Sequence, residues 1–477
     1  MKRLKILLIS PPRGLIDGNV KKPKFQTHPL GLLYLAGVLE KNNYQVKILD
    51  ALSHGNSIDE INLEVSEFSP HVVGITAMTI QARDAYMVAE SVKTINPKTI
   101  TVMGGPHATA LPEEGINSGY IDFAVIGEGE YSLLEICDKV EKGDKEFCDV
   151  KGIVYKNGRK IIKTSFRENL DRLDEIPFPA YHLLPSMARY NPPPHWGKKG
   201  KFGSVITSRG CPYGCEFCSV TRAFGKKYRV RSSNNVLDEL EVLYKDYGVR
   251  YVSFRDSVFT LLKKRVIEIC RGIVDMGMDI KWNCNGRVNE VNEEMLLWMK
   301  KAGCKAIQYG IESGNEEILS RFKRLNKDTI RKAVNLTNKV GIEPHGYFMF
   351  GLPGETKKSM RDTINFAKSL NLHSAGFTTV TPFPGSELWE YCIENNLVLS
   401  TDWEKYDLKG LPVSRHLNLK AEEILNAQKA AFREFYMRPK IIFRQLKNIR
   451  SANDILNYLF EALINLGKNK KMNQKAH

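Results

Sequence analysis

The stretch SRGCPYGCEFCSV, residues 208–220, places Cys211, Cys215 and Cys218 with three and then two residues between them. Thiolates at this spacing can converge from one loop onto three irons of a cubane iron–sulfur cluster, leaving the fourth iron open to a ligand. The alternatives are unrelated buried thiols or a zinc site, and zinc wants a fourth ligand where only the distant His182 and His195 stand. Immediately before the loop, the run GSVIT reads as a strand. Beyond it, RYVSF, KWNCN, AIQYGIE, EPHGYFMF and GFTTVT follow, separated by helical patterns such as NNVLDELEVLYKDYG. Alternation of this kind over residues 201–415 predicts a partial (β/α)6 parallel barrel, whose active site lies at the carboxyl ends of its strands.

Working toward the amino terminus, residues 146–200 break the pattern. A hairpin is expected at Asn157-Gly158, and a proline-rich run extends from Pro177 through Pro192-Pro193-Pro194, so this segment reads as a linker. Ahead of it, residues 1–145 alternate KILLIS, QVKILD, HVVGIT, TITVMGG and FAVIG with amphipathic stretches, which predicts an α/β doubly wound, Rossmann-like domain. Ligands of such sheets bind beyond the carboxyl ends of the strands, here residues 11–14, 50–54, 76–79, 104–109 and 127–130. No GxGxxG follows the first strand, where Pro11-Pro12-Arg13-Gly14 stands, and that disfavours a dinucleotide. In GGPHAT, Gly104 and Gly105 would clear space for a flat macrocycle, and His107 and Thr109 offer hydrogen bonds. Residues 416–477 read as a basic, helical carboxyl-terminal extension. There Ile455, Leu459, Leu463 and Leu466 recur at helical spacing beside Arg444, Lys447, Arg450 and the 468–471 lysine cluster, which suits either packing over the barrel mouth or a membrane surface.

Composition sets outer limits. Nine cysteines, an odd number, suit thiols in a reducing cytosol better than a disulfide framework. The opening MKRLKILLIS ends at Pro11-Pro12, too short to span a bilayer and without a small-residue cleavage site, so a cytoplasmic location is expected, with membrane association through the carboxyl-terminal helices as a variant. A formal net charge of +16 attracts phosphates, anionic headgroups or an acidic redox partner without choosing among them.

Several barrel residues point to the mouth by position. YGIESGNE ends the fourth strand and aims Glu312 there. Gly351 and Gly354 flank Leu352-Pro353 in YFMFGLPGET, letting a ligand approach the backbone. Ser253 and Asp256, Arg287, and residues 378–384 join them, with an Asp256–Arg287 ion pair as the structural alternative. Cys284 and Cys304 read as buried, inert thiols.

The cysteine loop, with Phe217 just before its last cysteine, resembles that of the radical S-adenosylmethionine (SAM) superfamily, and the later strand-end features fall in the family's order. The resemblance implies a [4Fe-4S] cluster on Cys211, Cys215 and Cys218, an open iron that binds the amino and carboxylate groups of SAM, and cleavage to a 5'-deoxyadenosyl radical. It places Phe217 near the adenine, assigns Glu312 to the ribose hydroxyls, and adds Ser253, Gly351, Pro353 and Gly354 to the SAM contacts; for Glu312 the alternative is a helix cap. The ordered set PLGLLYLAGVLE, VGIT, GGPHAT and GEGE resembles the cobalamin-binding domains that precede one large group of these barrels. That likeness implies cobalamin contacts from Pro12, Thr76, Thr79, Gly104, Gly105, His107, Gly127 and Glu128. It also implies no histidine ligand to cobalt, because the DALSHG stretch at 50–55 has its histidine displaced from the Asp-x-His-x-x-Gly pattern.

The expected function is methyl transfer to an unactivated carbon by a cobalamin-dependent radical SAM enzyme, with a radical cyclase similar to the anaerobic magnesium-protoporphyrin ester cyclases as the alternative. A transfer-RNA methylthiotransferase would need three amino-terminal cysteines, where only Cys137 and Cys148 stand, and a non-catalytic corrinoid or iron–sulfur carrier is disfavoured by the intact cysteines and Glu312. Implied partners are an electron donor such as flavodoxin or ferredoxin and a small-molecule or lipid substrate, with no nucleic acid and with peripheral membrane contact as an option.

Overall fold

The computed structural model describes residues 4–448 except 16, 17, 19, 21, 24, 191, 193–201 and 409. The helix expected around Ile455 to Leu466 lies outside the described residues. Seven strands build the first sheet: β1 Lys5–Ser10, β2 Gln45–Asp50, β3 Val72–Thr76, β4 Ile100–Gly104, β5 Phe123–Val125, β6 Ile153–Asn157 and β7 Lys160–Lys163. Their order is β2-β1-β3-β4-β5-β6-β7, the first five parallel and the last two antiparallel. The parallel strands are apolar nearly throughout because helices cover both faces: Leu8 and Ile6 pack toward Leu33 and Val38, Leu7 and Ile9 toward Ala85 and Val88. The strand order reverses between β1 and β3, which opens the crevice where such sheets bind ligands.

One expectation is corrected here. The hairpin turning at Asn157-Gly158 is not part of a free linker: β6 pairs with β5, through Ala124↔Val154, and extends the first sheet as far as Lys163. Burial of Ile153 and Val154 in the two cores drives that pairing.

The remaining strands are β8 Phe202–Val205, β9 Ser208–Arg209, β10 Arg229–Val230, β11 Tyr251–Phe254, β12 Lys281–Gly286, β13 Cys304–Glu312, β14 Glu343–Phe350 and β15 Ser374–Thr379. Six of them form a parallel sheet ordered β15-β14-β13-β12-β11-β8, the expected open barrel. Its wall alternates. Phe348 and Phe350 face outward against Phe377, and Phe435 closes over them, while Tyr347 and Met349 face the lumen with solvent access. The helix Ala421–Tyr436 covers β14 and β15 from outside, with the Tyr436 hydroxyl donating to the Ala375 carbonyl at 2.8 Å and the Gln428 amide to that of Phe377 at 3.0 Å. This part of the carboxyl-terminal extension is therefore barrel wall. Cys284 and Cys304 lie fully buried in that wall, as expected.

Candidate active site between the two sheets

The cysteine loop is an excursion between β9 and β10, which pair antiparallel with Arg209 directly opposite Arg229. Two like charges at the base of a loop repel unless neutralised. Neutralisation comes from the other domain, at the turn after β5. Glu128 accepts hydrogen bonds from both terminal nitrogens of Arg229, one at 3.0 Å, and lies 3.6 Å from Arg209, while Glu130 takes Arg209 at 2.6 Å. The side chains of Glu128 and Arg229 are 4% and 1% exposed. Arg229 also donates to the carbonyls of Leu170 and Phe224, and Glu128 accepts from the Leu170 amide. A buried quartet thus joins the amino-terminal domain to the cysteine loop. Glu128, expected to contact cobalamin, has its oxygens engaged here by two arginines and an amide.

Within the loop, the Cys211 N–H donates to the Gly225 carbonyl at 3.2 Å, and the Cys218 N–H donates to the Cys215 carbonyl at 2.9 Å. None of the three cysteines forms a disulfide, and all are half-buried. Burial pushes the Cys211 and Cys218 thiols up, and the Lys323 ammonium opposes this at both. Among the described residues, no three His, Cys, Asp or Glu side chains converge on a point as a single metal ion requires. A cubane asks for something else, three soft thiolates each on its own iron, and this donor set fits it.

Lys323 and Arg287 link the loop to the barrel. The Lys323 ammonium sits 5.9 Å from the Phe217 ring and 3.4 Å from a Glu312 oxygen. The Arg287 guanidinium stacks 3.8 Å over Tyr213, and it donates to the Lys323 carbonyl and to Asn289. Glu312 is buried at a β-bulge with φ of +69°, a backbone conformation that costs about 1 kcal/mol or more in a non-glycine residue and persists only where surroundings impose it. Burial raises its carboxyl pKa, against Lys323 and then Arg287. Phe217 packs against Leu352, Val380 and Leu388, and the Leu388 N–H donates to the Glu216 carbonyl at 2.8 Å. The structure thus brings Phe217, Glu312, Gly351 and the cysteines to one mouth. Gly351 has φ of +96°, and its N–H and that of Leu352 donate to the buried Glu355 carboxylate at 2.6 and 3.0 Å, which shapes the loop carrying Pro353 and Gly354.

Asp256 and Arg287 do not pair. Asp256 is buried and accepts from the Thr207 N–H at 3.2 Å and its hydroxyl at 2.8 Å, and from the Ser208 hydroxyl, so it fixes the turn leading into the cysteine loop. Ser253 lies a layer below the mouth, donating to Asn283 at 3.0 Å, and Gln308 reaches the same Asn283 oxygen.

On the first sheet, Pro12 and Thr79 are buried at the strand ends, and Thr76 is half-buried at the end of β3. A side chain added at Gly104 would meet nothing within 4 Å, so this position faces open space at the carboxyl end of β4. Gly105 is a glycine for another reason: at φ of +95°, an added Cβ would lie 2.8 Å from the Thr76 hydroxyl and 3.0 Å from the Ala77 carbonyl. Gly127, whose N–H donates to Thr109 at 3.0 Å, faces Ala223 just beyond the cysteines. His107, also expected to contact cobalamin, is packed among protein side chains. It is 0% exposed, 3.1 Å from the Tyr86 hydroxyl and 3.8 Å from Glu114, under Trp403, which itself donates to Glu114 at 2.7 Å. His107 thereby anchors the segment after the barrel to the first domain. Sequence reasoning missed Arg209, Arg229, Lys323 and Tyr213. Only Arg209 carried a local signal, a charge next to the cysteine loop at the end of an apolar strand.

Comparison with known proteins follows the same division. A family model described as the radical SAM superfamily matches residues 205–367, and one described as a B12 binding domain matches residues 16–136. An uncharacterized methyltransferase of Pyrococcus horikoshii is 39% identical over 449 residues, covering 94% of this chain and 95% of that protein. The anaerobic magnesium-protoporphyrin IX monomethyl ester cyclase of Rubrivivax gelatinosus is 29% identical, over 86% of this chain and 74% of its own. Among solved structures, the radical SAM methyltransferase TsrM from Kitasatospora setae, with cobalamin and a [4Fe-4S] cluster bound, superposes with a TM-score of 0.68 at 20% identity, covering 82% of this chain and 75% of that one.

Proposed function

The chain belongs to the radical SAM superfamily, in the group that carries a B12-binding domain ahead of the barrel, and we propose that Cys211, Cys215 and Cys218 hold its [4Fe-4S] cluster. The protein is a cobalamin-dependent radical SAM methyltransferase that uses the cluster, SAM and cobalamin. When bound, the cluster supplies the electron that splits SAM to a 5'-deoxyadenosyl radical, and cobalamin carries the methyl group. What the chain contributes is placement and exclusion of water.

The observation that carries the reading is the convergence of three strand-end loops from two sheets: the cysteine loop, the Glu312 bulge with Lys323, and the open face at Gly104. Gly385, in the loop after β15, lies with Arg222 beyond the cysteines and Ala110 beyond β4; an added Cβ there would stand 2.9 Å from Arg222 Cγ and 3.3 Å from the Ala110 Cβ. Glu312 would hold the ribose hydroxyls, with Lys323 keeping its carboxylate charged, and Phe217 would flank the adenine together with Gly351, Pro353 and Gly354. Ser253 serves below as part of the polar floor. Thr76, Thr79, Pro12, Gly104 and Gly127 would line the corrin side, with no histidine from the chain positioned as a cobalt ligand. The substrate is a small molecule, and an acidic one-electron donor such as flavodoxin or ferredoxin suits the +16 charge.

The test is reconstitution with reductant, cobalamin and SAM labelled in its methyl group. 5'-Deoxyadenosine should form, label should enter the product, and Glu312→Gln should weaken SAM binding by about tenfold, the loss of a charged hydrogen-bond acceptor. A reducible cluster that yields no deoxyadenosine would refute the assignment; deoxyadenosine with an unlabelled, ring-closed product would favour the chemistry of the cyclase relative.

A further inference from the structure

The loop from Gly351 to Gly354 has two faces. Leu352 packs against Phe217 of the cysteine loop, whereas Gly351 turns away from the lumen: a Cβ there would lie 3.1 Å from Ile424, on the helix Ala421–Tyr436 outside the barrel wall. Against this outer face lies a strap. After the helix Glu387–Glu394 the chain runs out and returns, with Val398 bridged to Ser414, the Leu399 N–H donating to Val413 at 2.8 Å and the Arg415 N–H to Leu397 at 2.6 Å. His416 fastens the strap to the loop. Its Nδ1 accepts from the Asn418 N–H at 3.1 Å, so Nε2 carries the proton that it donates to the Leu352 carbonyl at 2.9 Å.

Strap, loop and the helix Glu387–Glu394 border a cavity of about 250 Å³. One side is apolar, made by Phe350, Val380, Leu388, Leu397 and Ile424, all buried. The other carries the guanidinium groups of Arg321 and Arg415, and no aspartate or glutamate is among the residues that line the cavity. Arg415 is exposed, and among the described residues it pairs with no carboxylate. Arg321 is 3.9 Å from Glu216 and also faces the loop, where a Cβ added at Gly354 would lie 3.7 Å from one of its nitrogens. A more open hollow adjoins through residues 414–418 and reaches Leu399 and Leu417, which are 55% and 71% exposed. Its carboxylate, Glu423, is occupied by Lys357 at 2.8 Å and by the Lys420 N–H at 2.9 Å. The three cysteines, Phe217 and Glu312 line neither hollow.

We infer that this cavity is a ligand site of its own, separate from that of SAM, for an organic anion with an apolar chain, either a carboxylate or a phosphate monoester. Ligand sites combine an apolar lining with a few placed polar groups that fix orientation, and here those groups are cations left without a balancing carboxylate. Arg415 and Arg321 hold the oxyanion, since a guanidinium offers paired N–H donors to two oxygens of such a head. The chain lies on Leu388, Leu397 and Ile424, and its far end covers Leu399 and Leu417, which removes their surface from water.

The test is equilibrium dialysis of the full chain, loaded with cluster and cobalamin, against octanoate, octyl phosphate, neutral octanamide and acetate. At least one of the two octyl anions should bind about tenfold or more tightly than octanamide, and the tighter one names the head group. Acetate, which has the head without the chain, should bind at least about tenfold more weakly than octanoate. Arg415→Met should remove about tenfold or more of the anion affinity and Arg415→Lys should restore part of it, while SAM affinity and the electron paramagnetic resonance of the reduced cluster stay as in the wild type. In the wild type, the favoured anion should also protect Arg415 from phenylglyoxal, read by peptide mass mapping, which needs no variant to fold. Equal binding of the anions and octanamide, acetate binding as tightly as octanoate, anion binding that survives Arg415→Met, absence of protection, a parallel loss of SAM affinity, or competitive displacement of the anion by SAM would each overturn the inference. Dialysis needs no turnover, so failed anion binding with intact deoxyadenosine formation counts against this site alone.

Discussion

Replacing Glu128 by Gln keeps the volume of the side chain and removes its charge at the centre of the quartet. The Arg229 guanidinium is then left with the carbonyls of Leu170 and Phe224, and it still stands opposite Arg209 across the β9–β10 ribbon. Removing one partner of a buried ion pair costs about 3–5 kcal/mol, and the retained amide oxygen together with Glu130 on Arg209 puts Glu128→Gln at the low end, about 3 kcal/mol. That corresponds to a roughly 150-fold rise in the equilibrium for opening the cysteine loop from the first domain. Native-state amide exchange of residues 210–228 reads the opening locally, which matters because a two-domain chain has no single unfolding free energy. Combining Glu128→Gln with Arg229→Met should cost less than the two changes summed, since the double variant buries no lone charge. Strict additivity, or exchange in Glu128→Gln within about threefold of wild type, would refute the claim that the quartet docks the loop.

Glu355 gives a pH signature. Burial pushes its carboxyl up to about 7, with the N–H groups of Gly351 and Leu352 opposing. The unfolded value lies near about 4.3, so the stabilisation it provides is fully present below that pH and is lost as pH rises through about 7, amounting to roughly 4 kcal/mol. Thermal denaturation from pH 5 to 8.5 should therefore fall more steeply for the wild type than for Glu355→Gln; parallel profiles would count against a buried, titrating Glu355. Gly105→Ala should destabilise the chain by roughly 2 kcal/mol, from left-handed strain plus the Thr76 contact, and should weaken cobalamin retention on gel filtration; an alanine variant as stable as wild type would count against that close approach.

The parts of this molecule that were legible in sequence are those written by local periodicity or by short spacing. Six strand–helix alternations, the cysteine spacing and the strand-end position of Glu312 all lie within single windows, and backbone geometry converts each directly into a place at the barrel mouth. The hairpin at Asn157-Gly158 was legible as a hairpin, but its attachment was not, because pairing with β5 depends on Ile153 and Val154 finding cores assembled from residues far along the chain. Glu128 and His107 show the same limit in polar form. Both stand in loops that end strands, the place where ligands bind, and both are engaged by residues far along the chain: Arg229 for Glu128, and Trp403, together with Tyr86 of its own domain, for His107.

The burial of these two residues has one physical cause, and it bears on the chemistry. A reaction shared between two cofactors held by different domains requires the domains to keep one distance, yet loops at strand ends are the least restrained part of an α/β fold. The chain restrains them with buried charge on one side of the crevice, Glu128 and Glu130 against Arg209 and Arg229, and with aromatic packing on the other, His107 and Tyr86 against Trp403. Charged and aromatic residues near a crevice are therefore poor guides to ligand contact in this protein when taken singly. The discriminating quantity is accessible surface: Gly104, Arg255 and Tyr347 retain it, whereas Glu128 and His107 do not. By that criterion the accessible strand-end surface of the first sheet at Gly104 is backbone, whereas that of the barrel lumen includes the side chains of Arg255 and Tyr347.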